Sequence, residues 1–231
     1  MFENISELEE KIGYVFKDKS LIKQALTHSS FVNEQKINKT ECYERIEFLG
    51  DAVLELVSSD FFYRENPNTS EGDLTKMRAA AVCEQALDIA AKDLNLGEYM
   101  VFGRGEKQNG GSVRASIIAD CVEAVIGAIY LDSSIKEATD FIMKFVLNDL
   151  DNKRLFYDAK SILQEKAQEN KNVSLIYELV GEEGPEHDKN FTYKVLLDSK
   201  EIGIGTGKNK KSAQQNAAYD ALLKIQEQSC I

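Results

Sequence analysis

Along the first two thirds of the chain, apolar residues recur at intervals of three and four, as in Leu21, Ala25 and Leu26 or Ala86, Ile89, Ala90 and Leu94. This is the period of a helix with one buried face, and it predicts helices throughout residues 1–150, with loops at 66–70 and 103–111. Ser70, followed three residues later by Asp73, resembles a capping box and predicts a helix running through Met77 and Val82. After the polar stretch from Asn148 to Arg154 the pattern changes. A helix is predicted over 159–169, then strand-like runs at 174–180, 192–197 and 202–205, then an Ala-rich helix over 212–226. The expected architecture is therefore an all-α domain over 1–150, a linker over 151–157 and a small α+β domain of order α-β-β-β-α over 158–228. Pro67 and Pro185 both fall in predicted loops and interrupt none of these elements.

Composition adds boundaries. A chain of 231 residues with 43% hydrophobic content can bury a real core. No apolar run approaches the roughly 20 residues of a membrane span, and the acidic, periodic start from Met1 to Lys11 does not look like a leader, so a cytoplasmic protein with no membrane partner is expected. Cys42, Cys83, Cys121 and Cys230 form no C-x-x-C pair and are expected as reduced thiols, mostly small core residues. A net charge of −11 runs against a nucleic-acid partner at first sight. Its distribution changes that: residues 158–231 carry −2 and residues 1–157 carry −9, so two domains with different tasks are expected.

The acids are patterned. In Glu44-Arg-Ile-Glu-Phe-Leu-Gly-Asp51 they stand three and four apart, so at about 100° per residue Glu44, Glu47 and Asp51 share one helical face while Ile46, Val53 and Val57 point the other way. Asp120 and Glu123 repeat the design against Ile118, Val122, Val125 and Ile129. Like charges so spaced repel unless cations bridge them, and carboxylate oxygens are the hard ligands that Mg²⁺ takes. Two such helices face to face suit two ions roughly 4 Å apart, one activating water and one stabilising the leaving oxygen of a phosphodiester. Spacing alone favours a plainer account, a solvated acidic face partnered by Arg45 or Arg78. His28 is read as hydrogen-bonded structure within an amphipathic helix and Cys121 as no nucleophile, since it has no His partner in the local sequence. Gly103-Arg-Gly105 is too short for a dinucleotide fingerprint and is read as a turn whose Arg104 is a candidate phosphate contact.

The segment Glu44-Arg-Ile-Glu-Phe-Leu-Gly-Asp-Ala52 resembles the signature of the ribonuclease III family. Further segments are similar to that family in the same order: Gly13-Tyr-Val-Phe16, Ala25-Leu-Thr-His-Ser-Ser-Phe31, Glu71-Gly-Asp-Leu-Thr75, Gly103-Arg-Gly-Glu106 and Ala119-Asp-Cys-Val-Glu-Ala-Val-Ile-Gly-Ala-Ile-Tyr130. The resemblance implies the ribonuclease III endonuclease fold, with Glu47, Asp120 and Glu123 as metal ligands and Asp51 as catalytic carboxylate, Glu123 sharing both roles. It also implies second-rank places for Glu44, beside the metal cluster, and Glu71, in substrate handling. Ala52 replaces a frequent Ser at what is taken as a helix-packing position.

Near the C-terminus, Gly205-Thr-Gly-Lys208-Asn-Lys210-Lys211-Ser-Ala213 puts three lysines at a predicted helix start, where free N–H groups and the helix dipole favour anions. With the order α-β-β-β-α, this resembles a double-stranded RNA-binding domain. The resemblance assigns Asp158-Ala-Lys-Ser-Ile-Leu-Gln164-Glu165 to a helix on the minor groove and Gly184-Pro-Glu-His187 to a loop on a second one. Gln164, His187, Lys208, Lys210 and Lys211 are its RNA-binding candidates, the lysines bridging major-groove phosphates, and about 16 base pairs would be read by shape and 2′-hydroxyls. Asn209 replaces a frequent Ser, and Glu182, Glu183 and Asp188 near the loop predict a modest, salt-dependent affinity.

Taken whole, the resemblance implies a homodimeric endonuclease that uses Mg²⁺, with Mn²⁺ as an alternative and no small-molecule cofactor. It would hydrolyse both strands of double-stranded RNA, leaving 5′-phosphate and 3′-hydroxyl ends with short 3′ overhangs. Ribosomal RNA precursors and structured messages are the substrates it implies. A non-catalytic RNA-binding protein and an acidic protein-interaction scaffold are the alternatives. The presence of all five acids speaks against the first, and the lysine-bearing second domain against the second.

Overall fold

The periodic stretches fold as helices: α1 (Ile5–Ile12), α2 (Lys19–Ala25), α3 (Ser29–Gln35), α4 (Glu44–Glu65), α5 (Glu71–Ala81), α6 (Glu84–Leu94), α7 (Leu96–Tyr99), α8 (Arg104–Gln108), α9 (Ala115–Asp132) and α10 (Ile135–Phe141). They make up the first of two compact units in this computed structural model, residues 1–148, the second being 149–231. The structure describes residues 4–150, 155, 158–169, 173–184 and 189–229. No described helix is long and apolar enough to cross a membrane.

Local chemistry explains the helix ends. The Ser70 hydroxyl accepts from the Asp73 N–H and donates to the Asp73 carboxylate at 2.7 Å, which opens α5 where the capping pattern placed it. The expected loop at 103–111 instead contains the short helix α8. Its first N–H, on Arg104, is satisfied at 2.6 Å by the Glu34 carboxylate from the far end of α3. That partner lies 70 residues away, so no local pattern announces it.

The core is built on α9. Ile117, Ile118, Cys121, Val122, Val125, Ile126 and Ile129 are all buried, so this helix is enclosed on almost every side. Its main partner is α4, whose Ile46, Val53, Leu54, Val57 and Phe62 are buried. The two helices meet backbone to backbone. A methyl group on Gly50 would stand 1.8 Å from the Glu123 carbonyl oxygen, and one on Gly127 would stand 2.4 Å from the Ile46 carbonyl oxygen. Only residues without a Cβ allow that approach.

The second unit runs α11 (Ala159–Glu169), β1 (Leu175–Glu183), β2 (Asn190–Leu197), β3 (Lys200–Gly207) and α12 (Lys210–Ser229). The strands form an antiparallel sheet of order β1-β2-β3, with Tyr177 opposite Val195 and Tyr193 opposite Gly205. Each strand extends beyond its apolar alternation, because polar residues such as Glu182 and Glu201 continue the hydrogen-bonded ladder. Asp198 and Ser199, both with positive φ (48° and 67°), turn β2 into β3. Ala159, Leu163, Tyr193, Val195, Ala217 and Leu222 fill the core between the sheet and both helices. Close approach recurs at Gly205, where an added Cβ would lie 2.1 Å from the Ala217 nitrogen.

Gly50→Ala is expected to cost at least about 2 kcal/mol of stability, because α4 and α9 must part. Gly72→Ala on α5, with nothing within 4 Å of the added methyl, is expected to be neutral or up to about 1 kcal/mol stabilising. Urea denaturation of both variants checks the pair, and equal stabilities would contradict the close crossing.

Candidate active site and RNA-binding surface

The N-terminus of α4 is tied to the body of the fold. Tyr43 donates its backbone N–H to the Thr27 carbonyl at 2.9 Å, and its own carbonyl accepts from the N–H groups of Ile46 and Glu47. Glu44 and Glu47 therefore occupy the first turn, where the helix dipole favours negative charge. The Gly50–Gly127 crossing then brings the acidic face of α4 onto that of α9. Glu47, Asp120 and Glu123 are half-buried, while Asp51 and Glu44 are exposed at the rim.

The electrostatics record this meeting. Burial pushes the Glu47 carboxyl up to about 7, with the charges of Asp120, Glu44 and Asp51 adding to the shift. Glu123 is pushed up to about 8, first by burial and then by Asp51, Glu47, Asp120 and Glu55. Asp120 is raised by burial and held back by a hydrogen bond from the Tyr43 hydroxyl at 3.4 Å. Glu71 is not among the groups acting on this cluster; it lies at the start of α5, beside Leu56, Tyr63 and Arg78 in a groove against α4, and accepts from the Thr75 hydroxyl at 3.1 Å.

The cations expected to neutralise a plain acidic face do not pair with the four carboxyls at the crossing. Arg78 Nε stands 2.9 Å from Glu55 Oε2, an ion pair without hydrogen-bond alignment, and Arg45 is exposed. Among the described residues no cation pairs with Glu47, Asp51, Asp120 or Glu123. Three neighbours of the cluster escape the sequence pattern. Glu55, four residues after Asp51, continues the same face and is open to the same spacing rule. Tyr43 and Glu84 reach Asp120 only through tertiary packing and leave no local signal.

Other expectations are placed differently. Ala52, taken as a packing position, is exposed. His28 caps the start of α3 instead of lying within a helix: its Nδ1 faces the Ser30 hydroxyl at 2.8 Å and accepts the Ser30 N–H, and burial lowers its pKa. Cys121 is fully buried and burial pushes its thiol up, the opposite of what a nucleophile needs. Arg104 is exposed beside Glu34, at 3.6 Å. Cys42 is buried and Cys83 half-buried, while Cys230 lies outside the described residues.

Four carboxylates on facing helices are a hard-oxygen donor set with no paired cation among the described residues; burial first, and neighbouring like charge second, raise Glu47 and Glu123, a cost that a divalent ion would relieve. The residues fit such an ion in chemistry. Among the described residues no three metal-ligating side chains are gathered around one point.

In the second unit, Gln164 is exposed on α11 and Lys208, Lys210 and Lys211 are exposed at the start of α12. Asn209 is a working cap in place of Ser: its side-chain oxygen accepts the Ser212 N–H at 2.9 Å. Glu182, which lies in β1 and not in the loop, is drawn down by Lys189 and, more weakly, by Lys210, which moderates one of the acids expected to weaken binding. His187 and Asp188 lie outside the described residues.

The family model for ribonuclease-III-like domains matches residues 18–150, more than half of the chain. Ribonuclease 3 of Oceanobacillus iheyensis is 44% identical over 96% of this chain and 98% of its own length. The chain belongs to the ribonuclease III family. It is accordingly a double-strand-specific endoribonuclease, in a family of nucleases that generally depend on a metal ion. Ribonuclease 3 of Enterococcus faecalis is 45% identical over 95% of this chain and 96% of its own. A second model, the double-stranded RNA binding motif, matches residues 159–225. The nuclease domain of ribonuclease III from Campylobacter jejuni, described for structural flexibility in a region involved in dimer formation, is similar with a TM-score of 0.58 and 40% identity, over 62% of this chain and 96% of that one.

The raised Glu123 pKa predicts a pH-dependent instability of the metal-free protein. Below its unfolded value of 4.5 the carboxyl is neutral in both states and costs nothing; as the pH climbs towards about 8 the unfolded chain releases the proton that the native state retains, and stability falls. Glu123→Gln is therefore expected to raise the melting temperature in EDTA by about 2–4 °C near pH 8 and by less near pH 5. Calorimetry at the two pH values checks this, and an equal gain at both contradicts it.

Proposed function

We propose that this chain hydrolyses phosphodiesters on both strands of duplex RNA at the acidic cluster of α4 and α9, with Mg²⁺ as the working ion and Mn²⁺ as an alternative. The observation that carries the reading is that half-buried Glu47 and Glu123 stand within the fields of each other and of Asp51 and Asp120, with no cation among the described residues paired to any of the four. Glu47, Asp120 and Glu123 would hold the ion, and Asp51, at the exposed rim, would be the catalytic carboxylate that orients the attacking water; Glu123 shares both roles. When bound, Mg²⁺ supplies Lewis acidity toward the phosphodiester and charge that stabilises the leaving oxygen. Attack of water on phosphorus breaks the bond to the 3′ oxygen and leaves 5′-phosphate and 3′-hydroxyl ends. Glu44 flanks the cluster, and Glu71, away from it beside Arg78, suits contact with substrate.

Residues 1–150 would cut and residues 158–228 would hold the duplex through Gln164, His187, Lys208, Lys210 and Lys211, with 151–157 as linker. A homodimer is part of the same reading. Phe48, Leu56 and Tyr63 on α4 are 80%, 62% and 73% exposed, an apolar face that suits a second copy, and the C. jejuni relative is described with a dimer-forming region. Two such centres would cut opposite strands and leave short 3′ overhangs. Ribosomal RNA precursors, structured messages and other folded transcripts in the cytoplasm are the corresponding substrates.

Cleavage of a long perfect duplex, with and without Mg²⁺, tests the chemistry. Native protein is expected to cut only with the ion, and Glu123→Ala is expected to lose at least about a hundredfold in rate while still binding duplex. Metal-independent cutting, or a native rate in the variant, would sink the assignment. For the second unit, replacing Lys210 and Lys211 together by Ala is expected to weaken duplex binding and to flatten its logarithmic salt dependence by about 0.7–0.9 for each phosphate that is no longer neutralised. An unchanged salt slope would remove these lysines from the interface.

A further inference from the structure

Building on the proposed chemistry at the acidic cluster, we infer that Tyr43 is a positioning residue, whose phenol fixes the rotation of the Asp120 carboxylate so that it meets a divalent cation already oriented. The Tyr43 hydroxyl donates to Asp120 Oδ2 at 3.4 Å, across 77 residues of sequence. The contact is long for a bond to a carboxylate, as hydrogen bonds in a resting active site often are.

The donor itself is immobile. Tyr43 is 5% exposed, its backbone N–H is held by Thr27, and its ring lies 5.6 Å from that of His28. His28 is fixed in turn by Ser30 at 2.8 Å, by the ring of Phe102 at 5.3 Å and through its own N–H by the Val101 carbonyl. Tyr43 is thus held by the segment 27–30, itself held by Val101 and Phe102, before its phenol reaches Asp120. Among the described residues, Asp120 is the one acid of the four that receives a side-chain hydrogen bond.

A second phenol–carboxylate contact shows what a purely structural version looks like. Tyr14 donates to Asp132 at 2.6 Å, and Asp132 also accepts the backbone N–H groups of Lys17 and Asp18 at 2.8 Å each. That carboxylate is engaged on both oxygens and clasps the N-terminal segment. A carboxylate offers about four acceptor sites, and Asp120 has one side-chain donor and keeps the remainder for a ligand. Groups that orient metal ligands from behind typically contribute about 10- to 100-fold to metal affinity.

Tyr43→Phe removes one oxygen and keeps the ring. In the full-length protein, Mn²⁺ binding followed by calorimetry is expected to weaken about tenfold, and half-activation of duplex cleavage by Mg²⁺ to move up by the same factor. The KM for duplex is expected to be unchanged, and cleavage to recover at high Mg²⁺. Tyr14→Phe, which removes the structural hydrogen bond, is expected to lower the melting temperature and leave Mn²⁺ affinity unaltered. Native Mn²⁺ affinity in Tyr43→Phe, or an equal loss in Tyr14→Phe, overturns the inference. Mn²⁺ binding that is indifferent to Glu123→Ala overturns instead the metal-site assignment beneath it.

Discussion

Two helix backbones in direct contact set the terms for the rest of this molecule. Where α4 and α9 cross, Gly50 faces the Glu123 carbonyl and Gly127 faces the Ile46 carbonyl, at distances that admit no side chain. Residues adjacent to such a crossing have nowhere to diverge, so Glu47 and Asp51 on one helix and Asp120 and Glu123 on the other are held within each other's fields. The arrangement is unfavourable by itself, since burial and like charge both oppose ionisation. It stands within a fold whose α9 is enclosed along its apolar length. The strain is local and the support is distributed, a common division at sites built for chemistry.

The second unit uses the same device for another end. Gly205 of β3 lets α12 lie against the sheet at the turn that holds Ala213 and Ala217, where an added Cβ would meet the helix backbone. The beginning of α12 is thereby fixed beside the end of β3, and Asn209 closes it with its side chain. Lysines on a capped, docked helix start present their charge from a fixed base, whereas the same residues on a free tail would have to be ordered on binding. An acidic chain can meet a polyanion because local placement of a few cations outweighs the total.

Much of this is legible in the sequence, and what is not shares one cause. Helices, strands and their order follow from periods of 3.6 and 2, and the acidic faces of α4 and α9 follow from spacing of three and four; all of these are local. That the two faces meet is not local, and Gly50 and Gly127 look like ordinary small residues until the crossing is seen. Helix α8 escapes the pattern because its cap comes from Glu34, and His28 reads as part of a helix because its role as a cap depends on which chain turns away after it. Glu55 is the exception: it stands four residues beyond Asp51 and needs only the same rule carried one turn further. Ala52 shows the converse, since its exposure on α4 is invisible to a pattern that registers only small and apolar.

The distance along the chain between the two acidic faces has a consequence for the cell that makes this enzyme. Tyr43 and Asp120 are 77 residues apart, and they are brought together only once Gly127 has been synthesised and α9 has packed. A growing chain still attached to the ribosome carries the first set of carboxylates, from Asp51 until Asp120 and Glu123 are made, without a second set to face. The acidic cluster can be complete only once the chain has passed its middle, so the order of the polypeptide keeps its two halves apart until α9 has been made.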